Sequence, residues 1–198
     1  MKKELHNSTR RSISSRQSNS SERPRTEVSA GGLVFKRTRR GIYFAMLKDS
    51  FGKWTFPKGH VRRGEAYDKA AEREIFEETG LVNVRKVQRL GTIDIWFRDR
   101  FVYKGRLIHK YIHYFLFEVP ADSKLKKPKS QDHGEKIQAV SWVPVYAIQK
   151  RSTYKDMKKV IDLALKNFKN TETRTRQTSG SPPQKSVKPQ VDQKGEIT

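Results

Sequence analysis

The spacing of apolar residues predicts a strand-rich domain from the amino-terminal third of the chain onward. Residues 27–36 and 42–48 each hold an apolar run, and the polar turn TRRG between them predicts a β-hairpin. The doublet Gly31–Gly32 in the first strand predicts a close approach of another backbone segment. Residues 53–60 predict a short strand that leads into a loop.

Strand patterns also dominate the second half of the domain. Residues 84–98 are strand-rich and are expected to be broken at Gly91, and residues 99–105 form a turn. Residues 106–119 are the longest strand candidate. Both sides of this segment are partly apolar, which is typical of a central strand that is covered on both faces.

A final strand and a final helix complete the predicted domain. The strand covers residues 137–143 after a charged loop at 120–134, and Pro144 ends it. Apolar residues recur at helical spacing over residues 152–168, which predicts an amphipathic helix with its stripe in the core. Strands, a helix, more strands and a closing helix are compatible with an α/β fold in which a mixed sheet lies between helices.

The helix in the middle of the domain is predicted from about Glu65 to Thr79. Alanines at 66, 70 and 71 favour helix, and Gly80 stands where a glycine commonly ends one. Pro57, Gly59 and Gly64 predict that a loop precedes it.

Glu74 shares one face of this helix with Glu77 and Glu78, which follow it by three and four residues. Like charges at this spacing destabilise a helix by about 0.2–0.5 kcal/mol per pair. A divalent cation would relieve that repulsion, and Mg²⁺ prefers carboxylate oxygens. The structural alternative is a solvated acidic face without a ligand.

Composition divides the chain into a domain and two tails. Hydrophobic residues make up 34% of the 198 residues, whereas about 45–50% is usual in globular chains when glycine is counted. We therefore expect residues 1–26 and 169–198 to be disordered tails and residues 27–168 to form the domain. The absence of cysteine excludes disulfides, zinc–thiolate sites and a thiol nucleophile.

The chain shows no apolar segment of the kind that a secretory signal or a membrane span requires. We therefore expect a cytoplasmic protein without membrane contact. The Ser- and Arg-rich first residues leave a transit peptide as the alternative.

The net charge of +22 is carried mainly by the predicted domain. Residues 1–26 contribute +5 and residues 169–198 contribute +3, which leaves +14 for the residues between them. Such a charge attracts nucleotides, polyphosphates and nucleic acid, although it also serves solubility alone. We expect a nucleotide or polyphosphate substrate, with weak nucleic-acid contact through the basic tails.

The segment from Gly59 to Leu81 carries the pattern G-x5-E-x7-R-E-U-x-E-E-x-G-U, in which U is an apolar residue, at every fixed position. The pattern is that of the Nudix box, so the chain resembles the Nudix hydrolase family. The resemblance covers roughly residues 28–168 and implies an α/β/α sandwich. It also implies an enzyme that hydrolyses phosphoric anhydrides with Mg²⁺, or with Mn²⁺ in its place.

The resemblance also implies site residues. Glu74, Glu77 and Glu78 correspond to the metal-binding carboxylates, and Gly59 to a glycine whose carbonyl contacts the metal. Glu77 and Glu78 are further implied in catalysis, and Arg73 corresponds to an arginine that orients a catalytic carboxylate.

The general base is left open between a glutamate of the box and a residue that lies before the last strand. Glu135, in the segment DHGEKIQAVSW, stands at a comparable place in the chain and is a candidate for the base or for an additional metal ligand. His133 is a weaker candidate.

The segment WTFPKGH resembles the dinucleoside polyphosphate hydrolases and diphosphoinositol polyphosphate phosphohydrolases of the family. Lys58 is expected to contact phosphate as a point charge, and Trp54 and Tyr111 are candidate base-stacking residues, although each is also explained by core packing. We therefore expect a dinucleoside polyphosphate pyrophosphohydrolase of the diadenosine tetraphosphate type. The alternatives are a hydrolase that sanitises oxidised nucleoside triphosphates, an RNA 5′-pyrophosphohydrolase and a non-catalytic nucleotide-binding regulator.

Overall fold

The computed structural model describes residues 23–100, 102–126 and 136–178, and for residues 169–178 it describes the backbone alone. The first strand runs through the middle of a mixed sheet. The strands are β1 (Arg25–Thr38), β2 (Gly41–Lys48), β3 (Trp54–Thr55), β4 (Lys58–His60), β5 (Arg85–Arg98), β6 (Leu107–Val119) and β7 (Ala139–Pro144). The helices are α1 (Tyr67–Thr79), α2 (Ile148–Arg151) and α3 (Lys158–Thr178), with 3-10 turns at Val145–Ala147 and Lys155–Met157.

The sheet divides along β1. Its main order is β3-β2-β1-β6-β5, and β1 and β6 are parallel whereas the other pairs are antiparallel. The first part of β1 pairs with β4 through Ser29–Gly31, and its last part pairs with β2 through Phe35–Thr38. β7 joins the far side of β2. Because β2 pairs only with the last part of β1, β4 can pair with the first part on the same edge. β4 contains Gly59, so the box begins within the sheet.

Alternation along β1 sends successive side chains to two separate cores. Leu33 and Phe35 pack towards α3, where Phe168 lies edge-on to the ring of Phe35 at a centroid distance of 4.8 Å. Val34 packs on the opposite face with Ile75 of α1. Helices therefore cover both faces of the sheet, which confirms the predicted α/β architecture with a mixed sheet between helices.

Two glycines of β1 allow other segments to approach closely. A Cβ atom on Gly32 would lie 2.6 Å from Cδ1 of Ile75, and one on Gly31 would lie 2.5 Å from the carbonyl oxygen of Pro57. The backbone N–H of Gly32 also donates to that carbonyl at 3.0 Å. The predicted close approach at this doublet is therefore confirmed: it seats both α1 and the loop that leads to β4.

The two largest differences from the sequence expectations lie at Gly91 and in the last helix. β5 continues through Gly91, which has a φ of +124° and lies at a bulge between Arg89 and Gly91, so the residue bends the strand and does not break it. The last helix begins at Lys158, after a 3-10 turn, and its backbone continues to Thr178, ten residues beyond the predicted end at Phe168. The apolar residues of this segment pack in the core between the sheet and α3, as expected.

Residues 1–22 and 179–198, which make up most of the two predicted tails, lie outside the described residues, as does most of the charged loop. Within the described ranges, no helix is both long enough and apolar enough to cross a membrane.

Candidate active site on helix α1

The loop before α1 is held by a reciprocal pair of hydrogen bonds. The backbone N–H of Arg62 donates to Oε2 of Glu65 at 2.9 Å, and the N–H of Glu65 donates to the carbonyl of Arg62 at 3.0 Å. Gly64 lies within this turn at a φ of +77°, a conformation that other residues rarely adopt. The turn fixes the position of Glu65 relative to the helix that follows.

The other end of α1 closes at the predicted glycine. Gly80 has a φ of +68°, and its N–H donates to the carbonyl of Phe76 at 2.8 Å. This left-handed cap ends the helix directly after its last carboxylates. Three acidic residues of the box, Glu74, Glu77 and Glu78, therefore lie on the second half of α1, whereas Glu65 lies in the loop before it.

Arg73 links the loop to three carboxylates. Its Nε and Nη2 atoms donate to the two carboxylate oxygens of Glu65 at 2.9 Å each, which is a bidentate fork. Its Nη1 atom donates to Glu74 at 2.5 Å and to Glu77 at 3.0 Å, and Nη2 also donates to the carbonyl of His60 at 2.8 Å. A lysine could not reproduce this planar arrangement.

The fork shifts both of its partners towards their charged forms. The hydrogen bonds from Arg73 lower the pKa of Glu65 to about 2, and the Glu65 carboxylate raises the pKa of Arg73 in turn. Both groups are therefore charged at neutral pH. The pair acts as a fixed brace between the loop and the helix.

Glu74 is buried against the backbone of β4. A Cβ atom on residue 59 would lie 2.1 Å from the carboxyl carbon of Glu74, so Gly59 leaves the space that this carboxyl group fills. Burial raises the pKa of Glu74, while Arg73 and the charge of Lys58 lower it. The carboxyl group is thus held in a confined position beside two cations.

Glu78 and Glu77 occupy different environments. Glu78 is buried, and its Oε2 atom accepts a hydrogen bond from the backbone N–H of Lys58 at 2.9 Å. The side chain of Glu77 is 44% exposed, and it pairs with Arg73 and, at 3.3 Å, with Arg62. Two carboxylates therefore face β4 and one faces solvent.

These residues fit a hard divalent cation. Glu74, Glu77 and Glu78 supply oxygen donors from adjacent turns of α1, and the backbone of Gly59 lies directly against the first of them. In the described part of the chain, however, no three His, Cys, Asp or Glu side chains form a ready metal-binding group. Arg73 instead bonds to two of the three carboxylates, so metal binding would require a local rearrangement of these side chains.

The predicted substrate contacts are not all close to this cluster. Lys58 lies beside it, because its backbone N–H bonds Glu78. Trp54 is half-buried in β3, and the guanidinium of Arg151 lies 4.3 Å from its ring centroid. Tyr111 lies on β6, which β1 separates from β4. Glu135 and His133 fall outside the described residues.

Two residues near the carboxylates had no role in the sequence predictions. The carbonyl of His60 accepts from Arg73, and the ring of His60 lies 3.1 Å from the carboxylate of Glu27. Arg62 bonds Glu77 through its side chain and Glu65 through its backbone. The basic residues in the loop of the box are the sequence feature from which a role for Arg62 could have been predicted. No sequence feature predicts the role of the His60 carbonyl, because every residue has a backbone carbonyl.

Comparison with known proteins gives the family directly. A family model described as the NUDIX domain matches residues 25–164, which include every described residue of the carboxylate cluster. The chain belongs to the Nudix family. It is a Nudix hydrolase, and such enzymes cleave phosphoric anhydrides as pyrophosphohydrolases.

Individual relatives agree with this assignment. The chain is 33% identical over 161 residues to a protein of Mycobacterium tuberculosis (strain CDC 1551 / Oshkosh) named mutator protein MutT4, covering 78% of this chain but only 60% of that protein. It is 34% identical over 128 residues to an asymmetrical bis(5′-nucleosyl)-tetraphosphatase of Mus musculus, covering 64% and 80% of the two chains. The crystal structure of a C. elegans Ap4A hydrolase binary complex matches with a TM-score of 0.58 at 21% identity, covering 73% of this chain and 98% of that one, and shows the same fold.

Proposed function

We propose that this protein is a Mg²⁺-dependent pyrophosphohydrolase that cleaves dinucleoside polyphosphates of the diadenosine tetraphosphate type. The observation that carries the proposal is the packing of the Gly59 backbone against the buried carboxyl group of Glu74, with Glu78 and Lys58 beside it. The name of the mouse relative, a bis(5′-nucleosyl)-tetraphosphatase, supports the substrate class.

In this proposal Glu74, Glu77 and Glu78 hold the cation together with the backbone of Gly59. When bound, Mg²⁺ neutralises phosphate oxygens and activates water for attack at phosphorus, and Mn²⁺ supplies the same chemistry. The ion also offsets the repulsion between carboxylates on adjacent turns of α1.

The surrounding residues orient the carboxylates and the phosphates. Arg73 is a positioning residue, since its fork with Glu65 holds the guanidinium beside Glu74 and Glu77, whose carboxylates rearrange locally when they bind the cation. Lys58 contributes a positive charge close to Glu74, where a polyphosphate chain would approach.

Proton removal from the attacking water is assigned to a carboxylate. Glu77 and Glu78 are the candidates on α1, and Glu135 is the candidate from the segment before β7. Trp54 and Tyr111 stay candidate contacts for the nucleobases, with Trp54 on β3 and Tyr111 on β6. Replacement of Glu135 by Gln tests which of these carboxylates is the general base. Only a loss of turnover much larger than a few-fold would support Glu135 as the base.

The experiment is a substrate panel with product analysis. The purified protein is incubated with Mg²⁺ and diadenosine tetraphosphate, an oxidised nucleoside triphosphate, or a 5′-triphosphorylated RNA. The proposal expects preferred cleavage of diadenosine tetraphosphate into unequal products, a nucleoside triphosphate and a monophosphate. Preference for either of the other substrates would assign the sanitising or the RNA function instead, and nucleotide binding without cleavage would assign the regulator.

A pair of variants on the same helix controls this experiment. Glu78→Gln should lower turnover by about 100-fold or more, because the charge stabilisation that a metal supplies amounts to several kcal/mol. Glu72→Gln removes a carboxylate whose partner is the exposed Lys69, so turnover should stay close to wild type. Equal activities in the two variants would contradict the proposed site.

The predicted partners and location are tested separately. A cytoplasmic location is proposed and is tested by fractionation. The proposed weak nucleic-acid contact of residues 1–26 and 169–198 predicts that deleting these residues lowers the salt dependence of RNA binding.

A further inference from the structure

A line of aromatic rings runs along the sheet face that carries α1, outside both hydrophobic cores. We call Tyr67, Trp96, His109, Tyr111 and His113 the aromatic strip. Trp96 stacks on His109 at a centroid distance of 3.9 Å and an interplanar angle of 13°, and Tyr67 stacks on His113 with the same values. The ring of Tyr111 lies 4.3 Å from that of His109, between the two stacks along β6.

The strip faces solvent. Trp96 is 55% exposed, Tyr67 is 44% exposed and Tyr111 is 36% exposed. Aromatic residues usually contribute to stability by removing their large surface from water. Two of the exposed rings lie on the sheet and Tyr67 lies at the start of α1 beside it, and each is at least one-third exposed, which indicates a surface that contacts a ligand.

Hydrogen bonds fix the two histidines of the strip, against which the other three rings pack. Nδ1 of His113 lies 2.8 Å from Oγ1 of Thr92, and Nε2 of His109 lies 3.1 Å from Oδ2 of Asp94. The strip residues of β5 and β6 are also held in antiparallel register, with Trp96 opposite His109. A rigid surface loses little conformational entropy when it binds a ligand.

Positive charge lies at both ends of the strip. The tip of the β5–β6 hairpin, residues 98–106, begins two residues beyond Trp96 and carries a net charge of +3. At the other end, Nη2 of Arg89 lies 3.4 Å from Oγ1 of Thr92. Asp94 is the opposing charge, and its carboxylate accepts from His109.

We propose that the aromatic strip binds single-stranded nucleic acid, with bases stacked on Trp96, Tyr111 and Tyr67 and phosphates held by cations of the hairpin tip. Aromatic side chains beside a basic surface are the combination that binds single strands without sequence preference. The charge of the domain, +14 over residues 27–168, complements such a polyanion. This binding does not require phosphoanhydride hydrolysis, although Tyr111 is also a candidate nucleobase contact of the substrate, and it uses the sheet and not the tails.

The test measures fluorescence anisotropy of labelled oligouridylate and oligothymidylate of about 12 nucleotides, with the full-length protein and with EDTA so that no hydrolysis occurs. Trp96→Ala should weaken binding by roughly 5- to 150-fold, the equivalent of one lost base stack. Trp96→Phe keeps a ring and should stay within a few-fold of wild type, which separates a lost stack from a lost fold. The control is Tyr146→Ala, which removes an aromatic ring that is 86% exposed in the turn after β7 and should have no effect.

A second pair of variants tests the electrostatic part. Arg100→Gln with Lys104→Gln removes two exposed charges at the hairpin tip, and each lost phosphate contact should lower the salt slope by about 0.7. Lys155→Gln with Lys159→Gln removes the same charge beside and at the start of α3 and should leave the slope much closer to wild type. Comparison of uridylate with thymidylate distinguishes RNA from DNA as the occupant.

Three outcomes would overturn the proposal. The first is no oligonucleotide binding by the wild-type protein at low salt. The second is equal affinity in Trp96→Ala and wild type, which would locate binding elsewhere. The third is a raised KM for diadenosine tetraphosphate in Trp96→Ala with unchanged oligonucleotide affinity, which would make the strip part of the substrate site.

Discussion

A Cβ atom on Gly59 would lie 2.1 Å from the carboxyl carbon of Glu74, so the backbone of β4 and the helix of the box are packed without room for a side chain. No positive φ is found at this position, in contrast to Gly64. Gly59 is therefore required for space and not for backbone freedom. The contact couples the loop geometry to the position of a buried carboxylate.

Gly59→Ala is expected to abolish most of the activity while the domain still folds. The new methyl group must displace the carboxyl group of Glu74, and overpacking of this kind costs about 1–3 kcal/mol. Turnover and thermal unfolding are measured together. Gly64→Ala is the matched control, because it strains a left-handed residue by about 1–2 kcal/mol but meets no atom within 4 Å. Equal loss of activity in both variants would contradict the contact.

Arg73→Lys should lower turnover or metal affinity by about 10- to 100-fold, the usual effect of losing a group that orients metal ligands. Lysine keeps the charge but cannot bond Glu65 through two atoms while also reaching Glu74 and Glu77. Activity is measured across a Mg²⁺ titration. The control Arg62→Lys changes an exposed side chain with one ion pair to Glu77, so an effect under about fivefold is expected.

Glu65 should make stability depend on pH in the acid range. Its pKa is about 2 in the folded protein against 4.5 for the unperturbed group, so its stabilisation is present above pH 4.5 and is lost as the pH falls towards 2. Glu65→Gln should therefore be less stable than wild type at neutral pH, and the difference should shrink below about pH 4.5. Urea unfolding at a series of pH values checks this. A difference that is constant with pH would show that the ion pair with Arg73 is not its source.

Gly32→Ala should destabilise the protein by about 1–3 kcal/mol, because the methyl group would meet Ile75 and push α1 away from the sheet. The nearest atom, Cδ1 of Ile75, is absent in Ile75→Val. The double variant should therefore be more stable than the sum of the two single changes predicts. Simple additivity would indicate that contact with Phe117, 2.8 Å from the new Cβ, dominates.

Local signals in the sequence predicted the parts of the fold that depend on nearby residues. Gly80 ends α1 because its left-handed conformation is a property of that residue, and the hairpin of β1 and β2 follows from its turn. The effect of Gly91 was misjudged because a bulge depends on the partner strand, β6, and not on the glycine alone. The start of the last helix was also missed, since the apolar stripe begins in a 3-10 turn that packs on the same core.

The candidate site was likewise predictable only where it depends on residues close together in the sequence. Helical spacing predicted that the carboxylates of α1 lie close together, but it did not predict that Glu77 faces solvent while the other two face β4. The contact between Gly59 and Glu74 depends on how β4 pairs with β1. Trp54 and Tyr111 were grouped by residue type, and the sheet places them on β3 and β6, on opposite sides of β1. Their separation follows from the strand order, which could not be predicted from this one sequence.

The parallel pairing of β1 with β6 also determines when during synthesis the box helix can be supported. Residues from Arg25 to Lys36 pair with residues from Ile108 to Val119, and Phe115 and Phe117 of β6 lie in the core under α1. When the ribosome has synthesised the chain only as far as β5, the whole box is present, but β6, which packs under α1, is still missing. Such distant pairing forms slowly, so the newly made protein should acquire its hydrolytic site late, once the chain beyond Val119 has emerged.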